Sequence, residues 1–378
     1  MRIAYLTEWT PFSETGVLKK LIGQVETWRD LGAVADIFSL SPKSSETPAL
    51  NFSDVGRVVG VVPQSMLDRY PAARLGYVNK TASVPKMAGL LREFRPDVIY
   101  YRQNGPWYPG LGRLLSVAPT VLEINTDELA EHHIWGKSFN FLYRATQGRI
   151  LAKANGFVVM THEIGHKYQH FGRPLAVMPN SFWGEQVIPF PPSGNSRPAF
   201  VFVGSRITGT ASWHGVDKLI PLAEALSACQ FHIVGHEECD LPGVVIPPNV
   251  TLHGFRSGPE LTAIFRQSDV GIGSLALHRK GMSEACPLKV RDYLMHGMPA
   301  VIGYTESESR LNTAPYVLPI GPAEDNVAAN VGRILAFGER WLSQRVEADL
   351  SFMSRRAKEA ERLDFLARIS KASRSVAA

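Results

Sequence analysis

The feature that most constrains this chain is a repeated alternation. Short apolar runs are each followed by a polar turn and a stretch of helical period. Arg2 to Thr7, Ala35 to Leu40, Asp97 to Tyr101, Thr120 to Asn125, Gly156 to Thr161 and Leu175 to Pro179 read as strands. Val17 to Leu31, Val84 to Phe94 and Phe141 to Ala154 read as helices among them. Strands joined through helices build a parallel sheet covered on both faces. After the Pro- and Ser-rich break Val187 to Pro198, VIPFPPSGNSRP, the alternation restarts with Ala199 to Val203, Phe231 to Gly235, Asn249 to Phe255, Val270 to Leu275 and Pro299 to Gly303. At 378 residues the chain exceeds one core of usual size. The reading is therefore α/β with two doubly wound, Rossmann-like domains. These are 1–186, a linker at 187–198, a second domain at 199–350, and C-terminal helix at 351–378.

Ligands of such sheets bind beyond the carboxyl ends of the strands. In the first domain those ends carry Tyr101-Arg102-Gln103-Asn104 and Asn125-Thr126-Asp127-Glu128, so Arg102, Asn104 and Asp127 are candidates for holding an acceptor. Gly16 stands where the first loop meets the first helix. It either lets a phosphate approach the backbone or only lets the turn close.

The sharpest chemistry lies in Gly281 to Tyr304, GMSEACPLKVRDYLMHGMPAVIGY. A polar loop ends at Pro287, a short helix spans Leu288 to His296, Gly297 stops it, and an apolar strand follows. A helix start of this kind attracts anions. Glu284 in the loop and Asp292 one turn into the helix flank it, with Lys289 between. Two carboxylates around an anion site suit a ligand made of a sugar, a diphosphate and a ribose. The same residues also fit a solvated loop and an ordinary amphipathic helix.

Glu284, Pro287, Lys289, Asp292, Tyr293, Gly297, Pro299 and Val301 resemble the segment E-x-x-P-x-K-x-x-E-Y-x-x-x-G-x-P-x-V of retaining GT-B glycosyltransferases of the family 4 type, with Asp in the second acid position. Gly204, Gly215, Asp217, Leu219 and Ile220 are similar to that family's G-R-x(n)-K-G-x-D-x-L-I segment, with Ser205 or Arg206 near the Arg place and His214 at the Lys place. Asn249 to Phe255, NVTLHGF, resembles its N-V-x-F-x-G segment, whose backbone near Gly254 and Phe255 abuts the base. The resemblance implies a GT-B fold, two domains facing across a cleft, with the C-terminal helix crossing back to the first domain. It implies transfer of a sugar from a nucleoside-diphosphate-sugar to a glycan, lipid-linked or small-molecule acceptor, with retention of configuration, as in surface polysaccharide or glycoconjugate synthesis.

The residue roles it implies are these. Glu284 takes the donor sugar's hydroxyls and Asp292 the ribose. Arg206, Lys289 and the amides after Cys286 take the diphosphate, with Gly16, Gly204, Ser205, His214, Ala285, Pro287 and Leu288 lining the donor. Asn125 stands where family members often carry a His that contacts the donor sugar. No metal and no cofactor is expected, because amides and cations stabilise the leaving diphosphate. A protein of this fold that binds nucleotide-sugar without transferring it is the alternative, since His214, Asn125 and Asp292 depart from the pattern together.

A rival of another class is His162-Glu163-Ile164-Gly165-His166, which matches the zinc hydrolase pattern H-E-x-x-H. The motif follows a strand after one residue, Gly165 weakens its helix, and the extended pattern fails at Gln169 and Gly172. The sequence G-I-G-S-L-A at 271–276 spells part of a dinucleotide fingerprint without a helix directly after it, and reads as a strand with small residues.

Three cysteines, Cys229, Cys239 and Cys286, show no metal spacing and fit free thiols in a reducing compartment. With Glu8 interrupting the first apolar run, no leader is expected, and no stretch reaches the length of a membrane span. The net charge of +5 suits anionic partners, but no motif of a nucleic-acid reader accompanies it. The expected location is cytoplasmic or peripheral at the inner membrane face, and Arg69 to Lys86 reads either as a face toward a lipid-phosphate or as an ordinary loop.

Overall fold

The computed structural model describes residues 1–69, 72–103, 105–127, 137–182, 184, 187–204, 212–241 and 243–377. Asn104, Ser205 and Arg206 lie outside the described residues. The chain divides into two compact units. One comprises Met1–Met160, Ile164–Met178 and Arg355–Ala378; the other comprises Thr161–Glu163 and Pro179–Ser354.

The first unit is built on seven parallel strands: β1 Arg2–Thr7, β2 Val34–Ser39, β3 Gly56–Val58, β4 Val98–Arg102, β5 Thr120–Ile124, β6 Ala154–Val159 and β7 Leu175–Val177. Their order is β3-β2-β1-β4-β5-β6-β7, so the winding reverses between β1 and β4. Ile3 pairs with Ala35 on one side and Val98 on the other. The central strands, β1 and β5 among them, are buried on both faces, which is why they read as apolar runs, while the edge strands β3 and β7 are only partly buried. The helix Gly16–Asp30 starts where the Thr15 hydroxyl accepts the Leu18 amide at 3.1 Å, and it buries Leu18, Leu21, Ile22, Val25 and Trp28 at helical spacing.

The helix before β4 runs Ala72–Phe94, passing through Pro85, whereas the sequence pattern placed its start at Val84. Val84, Met87, Ala88 and Leu91 are buried, and this packing outweighs the proline's cost to the helix. The C-terminal helix Arg355–Ala377 belongs to this unit. Its buried Glu359 accepts the Trp28 indole N–H at 2.7 Å, and Arg362 Nη1 donates to the Tyr100 hydroxyl at 2.7 Å.

The second unit repeats the plan with β8 Ala199–Val203, β9 Gln230–Val234, β10 Val250–Leu252, β11 Val270–Ile272, β13 Ala300–Ile302 and β15 Val317–Pro319, in the order β10-β9-β8-β11-β13-β15. Here the winding reverses between β8 and β11. One apolar cluster, including Phe200, Phe202, Leu219, Phe231, Ile272 and Val301, fills the space between sheet and helices. A separate parallel pair, β12 Glu284–Ala285 with β14 Thr305–Glu306, places Glu284 in a strand where the sequence suggested a loop.

The break at Val187–Pro198 is built into this second unit, and the division of the chain falls at Met178/Pro179 instead. The Ile188 amide donates to Met295 O at 2.8 Å and the Phe190 amide to His296 O at 3.1 Å. Fully buried Asp269 accepts the Ala199 amide at 3.0 Å, the Ser343 amide at 3.0 Å, Asn195 Nδ2 at 2.9 Å and the Ser193 hydroxyl. Proline and serine signalled the lack of regular structure, which is not the same as a lack of attachment.

Candidate functional site

At the β8/β11 switch point of the second unit, strand ends and one helix start bring several of the expected residues together. Gly204 follows β8 and Gly235, at φ +97°, follows β9. A Cβ on Gly235 would stand 1.6 Å from Gly204 O, so only glycine permits this approach. The Gly235 amide donates to Gly254 O at 2.7 Å and the Gly254 amide to His236 O at 3.1 Å, while the Gly204 amide donates to Val234 O at 3.0 Å, joining three neighbouring strand ends through backbone. Phe255, 72% exposed, projects next to them.

His214 ends a short turn whose carbonyl accepts the Leu275 amide at 3.0 Å. Its Nδ1 lies 3.3 Å from Ser274 Oγ and 3.3 Å from Lys289 Nζ. Burial, with Lys289, His236 and Lys280 nearby, pushes the imidazole pKa well down, so His214 is neutral. Lys289 Nζ stands 4.0 Å from the centre of the Phe202 ring, and burial pushes its pKa down to about 7. Among the described residues no carboxylate lies within ion-pair distance of it. A cation in that state is stabilised by an arriving anion.

Lys289 is the second residue of the helix Leu288–Met295, which opens on Pro287 with no side-chain cap. The opposite face of that helix is fixed by Arg291, whose Nε donates to Asn180 O at 2.8 Å and whose Nη2 donates to Glu306 at 2.7 Å. Cys286 is buried and its carbonyl accepts Asn180 Nδ2 at 2.8 Å. Asp292 is half-buried one turn in. Tyr293 accepts the Val203 amide at 2.9 Å and donates to Ile272 O. A Cβ on Gly271 would meet that ring at 2.2 Å, which accounts for the first glycine of G-I-G-S without any nucleotide.

Glu284 sits in a reciprocal clasp. Its Oε1 accepts the His162 amide at 3.0 Å and meets His162 Nδ1 at 2.9 Å, while its Oε2 accepts the Glu163 amide at 2.7 Å. Glu163 in turn accepts the amides of Ser283 and Glu284, each at 3.0 Å. Burial would raise the Glu284 carboxyl pKa, but the amides of residues 162 and 163 outweigh it and lower it. His162 and Glu163, the first two positions of the HEIGH motif, are thus engaged with this loop, and His166 Nδ1 lies 2.7 Å from Gln169. Among the described residues no group of three or more His, Cys, Asp or Glu side chains could hold a metal ion.

In the first unit, Gly16 is exposed at the start of its helix and Asp127 pairs with Lys167. Arg102 Nη1 donates to Glu123 at 3.3 Å, and Asn125 Oδ1 accepts Lys20 Nζ at 3.0 Å. Glu123, fully buried in β5, was not singled out by the sequence reading. It also binds Lys20 at 2.9 Å and the Tyr5 hydroxyl at 2.7 Å. Burial opposes its charge, but Lys20, Arg102 and Arg362 outweigh this and hold the carboxyl far below the usual carboxylate range. The signal that could have found it is a charged residue inside the apolar run TVLEI.

No family model matches the sequence, and no curated protein matches it. Solved structures do. The lipopolysaccharide outer core galactosyltransferase WaaB in its apo form has a TM-score of 0.64 at 11% identity, over 97% of this chain and 99% of that one. WaaG, a glycosyltransferase involved in lipopolysaccharide biosynthesis, has a TM-score of 0.62 at 14% identity, over 96% and 99%. UDP-GlcNAc 2-epimerase from Neisseria meningitidis, bound to UDP-GlcNAc, has a TM-score of 0.53 at 13% identity, over 97% and 100%. The chain therefore has the GT-B fold of such glycosyltransferases. An epimerase also aligns over nearly its whole length, so the fold by itself does not select the reaction.

Proposed function

We propose that this protein is a glycosyltransferase that moves a sugar from a nucleoside-diphosphate-sugar to a glycan or glycolipid acceptor, with retention of anomeric configuration, in surface polysaccharide or glycoconjugate synthesis. The observation that carries this reading is Lys289, a half-buried lysine with no carboxylate partner among the described residues, at the strand-order reversal where α/β sheets take their ligands. Structures of the same fold that act on sugars, WaaB and WaaG among them, support it.

In this proposal Lys289, Arg206 and the amides at Leu288 and Lys289 meet the diphosphate and stabilise the charge it gains on leaving, without a bound metal. Gly204 and Gly254 allow close backbone approach, Phe255 offers its exposed ring to the base, and Asp292 takes ribose hydroxyls. Glu284 takes donor sugar hydroxyls with the lone pairs that the amides of 162 and 163 leave unused. Asn125 contacts a sugar, and Arg102 and Asp127 stand by for the acceptor. The place of action proposed is the cytoplasm, with the membrane face as one source of lipid-linked acceptors.

A second reading, a nucleotide-sugar-binding protein that performs no transfer, is favoured by the engagement of both Glu284 oxygens and by the neutral His214 at a phosphate-clamp position. Incubation with UDP-, GDP- and dTDP-sugars, followed by NMR of the released or transferred sugar, separates the two. Turnover with the anomeric configuration of the donor supports transfer with retention. An inverted product removes retention, and nucleotide binding without turnover favours the second reading.

A further inference from the structure

Asn125 follows directly on β5, and what holds it is Lys20, from the helix after β1. Lys20 Nζ lies 3.0 Å from Asn125 Oδ1, 2.9 Å from Glu123 Oε1 and 3.7 Å from Met160 Sδ. A lysine ammonium carries three donors and no acceptor, so these contacts use its hydrogen-bonding capacity. They also decide which way the Asn125 amide points. Only its oxygen can face a lysine, so its NH2 is the outer arm. That Nδ2 is buried and, among the described residues, has no hydrogen-bond partner. An amide donor left in this state carries a desolvation cost that a ligand oxygen would remove. Lys20 is itself fixed by Glu123, which Tyr5 and Arg102 hold from its other oxygen.

We propose that Lys20 is a positioning residue, which turns the Asn125 amide so that its NH2 is offered to a hydroxyl oxygen of the sugar substrate. The inference rests on the sugar-transfer reading and adds the residue that sets the orientation and the group it reads. Lys20 and Arg102 both pair with Glu123, and the group presented at Asn125 is a neutral donor suited to a hydroxyl.

The test compares the full chain with Asn125→Ala, Asn125→Asp, Lys20→Met and the Lys20→Met/Asn125→Ala double variant. Affinities are measured by calorimetry for UDP-glucose, UDP-galactose and GDP-mannose, each against its bare nucleoside diphosphate. For the sugar nucleotide that wild type binds best, Asn125→Ala and Lys20→Met should each cost about five- to tenfold, the worth of one hydrogen bond. Both should leave the bare diphosphate unchanged, and the double variant should be no worse than Asn125→Ala alone. Asn125→Asp keeps a carbonyl-like oxygen for Lys20 but lacks the donor. It should lose as much as Asn125→Ala, and it tests the donor even if Lys20→Met does not fold. Losses that add in the double variant, or an Asn125→Ala or Asn125→Asp protein with unchanged affinity, overturn the proposal. A wild type that binds none of these nucleotides, nor dTDP-glucose, CMP-sialic acid or ADP-glucose, overturns the sugar-transfer reading and this inference with it, which distinguishes the two failures.

Discussion

Binding of an anion beside Lys289 should be tied to the uptake of a proton. The ordinary lysine value of 10.5 falls to about 7 here because the ammonium is desolvated over the Phe202 ring, with no carboxylate partner among the described residues. At about 1.4 kcal/mol per pH unit, that difference corresponds to roughly 5 kcal/mol of penalty on the charged form. A diphosphate at Nζ offsets the penalty and restores the ammonium. With a free value near 7, Lys289 is about nine-tenths neutral at pH 8 and about nine-tenths charged at pH 6. Nucleotide-sugar binding should therefore take up close to one proton at pH 8 and about a tenth of one at pH 6. A sugar nucleotide is the right probe because its phosphates, unlike a terminal phosphate, do not titrate in this range. Calorimetry at pH 8 in phosphate and in Tris, whose ionisation enthalpies differ, reads the uptake directly. Lys289→Met should abolish it. An uptake near zero in wild type at pH 8, or an equal uptake in Lys289→Met, would refute the reasoning.

The same displacement predicts the stability of the unliganded protein. From about pH 7 to 10.5 the unfolded chain binds the proton that the folded Lys289 lacks, so this residue's contribution rises with pH across that window. Lys289→Met should accordingly raise the melting temperature at pH 6 more than at pH 9. Glu284→Gln should cost about 1–3 kcal/mol in urea unfolding at pH 7, through the amides of residues 162 and 163. Because the folded carboxyl pKa is lowered, that contribution should be present at neutral pH and fade as pH falls below the ordinary 4.5. Gly235→Ala should cost more than about 3 kcal/mol by the same assay, since its Cβ would collide with the Gly204 carbonyl and its φ is +97°. Asp269→Ala should open the segment 187–198 to limited proteolysis, because it removes the acceptor for Ala199, Asn195, Ser193 and Ser343.

The central strands were legible because they are buried on both faces and so write themselves as apolar runs, whereas the edge strands Gly56–Val58 and Val317–Pro319, only partly buried, were not read from the sequence. The helix Leu288–Met295 was legible because Pro287 and Gly297 mark its ends. The attachments of these elements were not. Glu284 meets His162 and Glu163, 122 and 121 positions away, and no local pattern announces such a pairing. The same two residues read locally as half of a metal motif, since spacing on a short helix is all that the motif encodes. The linker reading erred for a similar reason: Asp269, 70 positions from Ala199, ties that segment down. In β5 the sequence drew attention to Asn125 at the strand end, whereas Glu123, two residues earlier on the same face, organises Lys20, Arg102 and Tyr5 around it.

The most direct measurement is a thermal-shift screen of the purified protein against UDP, GDP, dTDP, CMP, ADP and zinc, repeated on Asp292→Ala. One nucleoside diphosphate should raise the melting temperature of wild type, and Asp292→Ala should lose that rise. Stabilisation by zinc alone, with no nucleotide effect, would contradict a nucleotide-sugar site at Lys289 and Asp292.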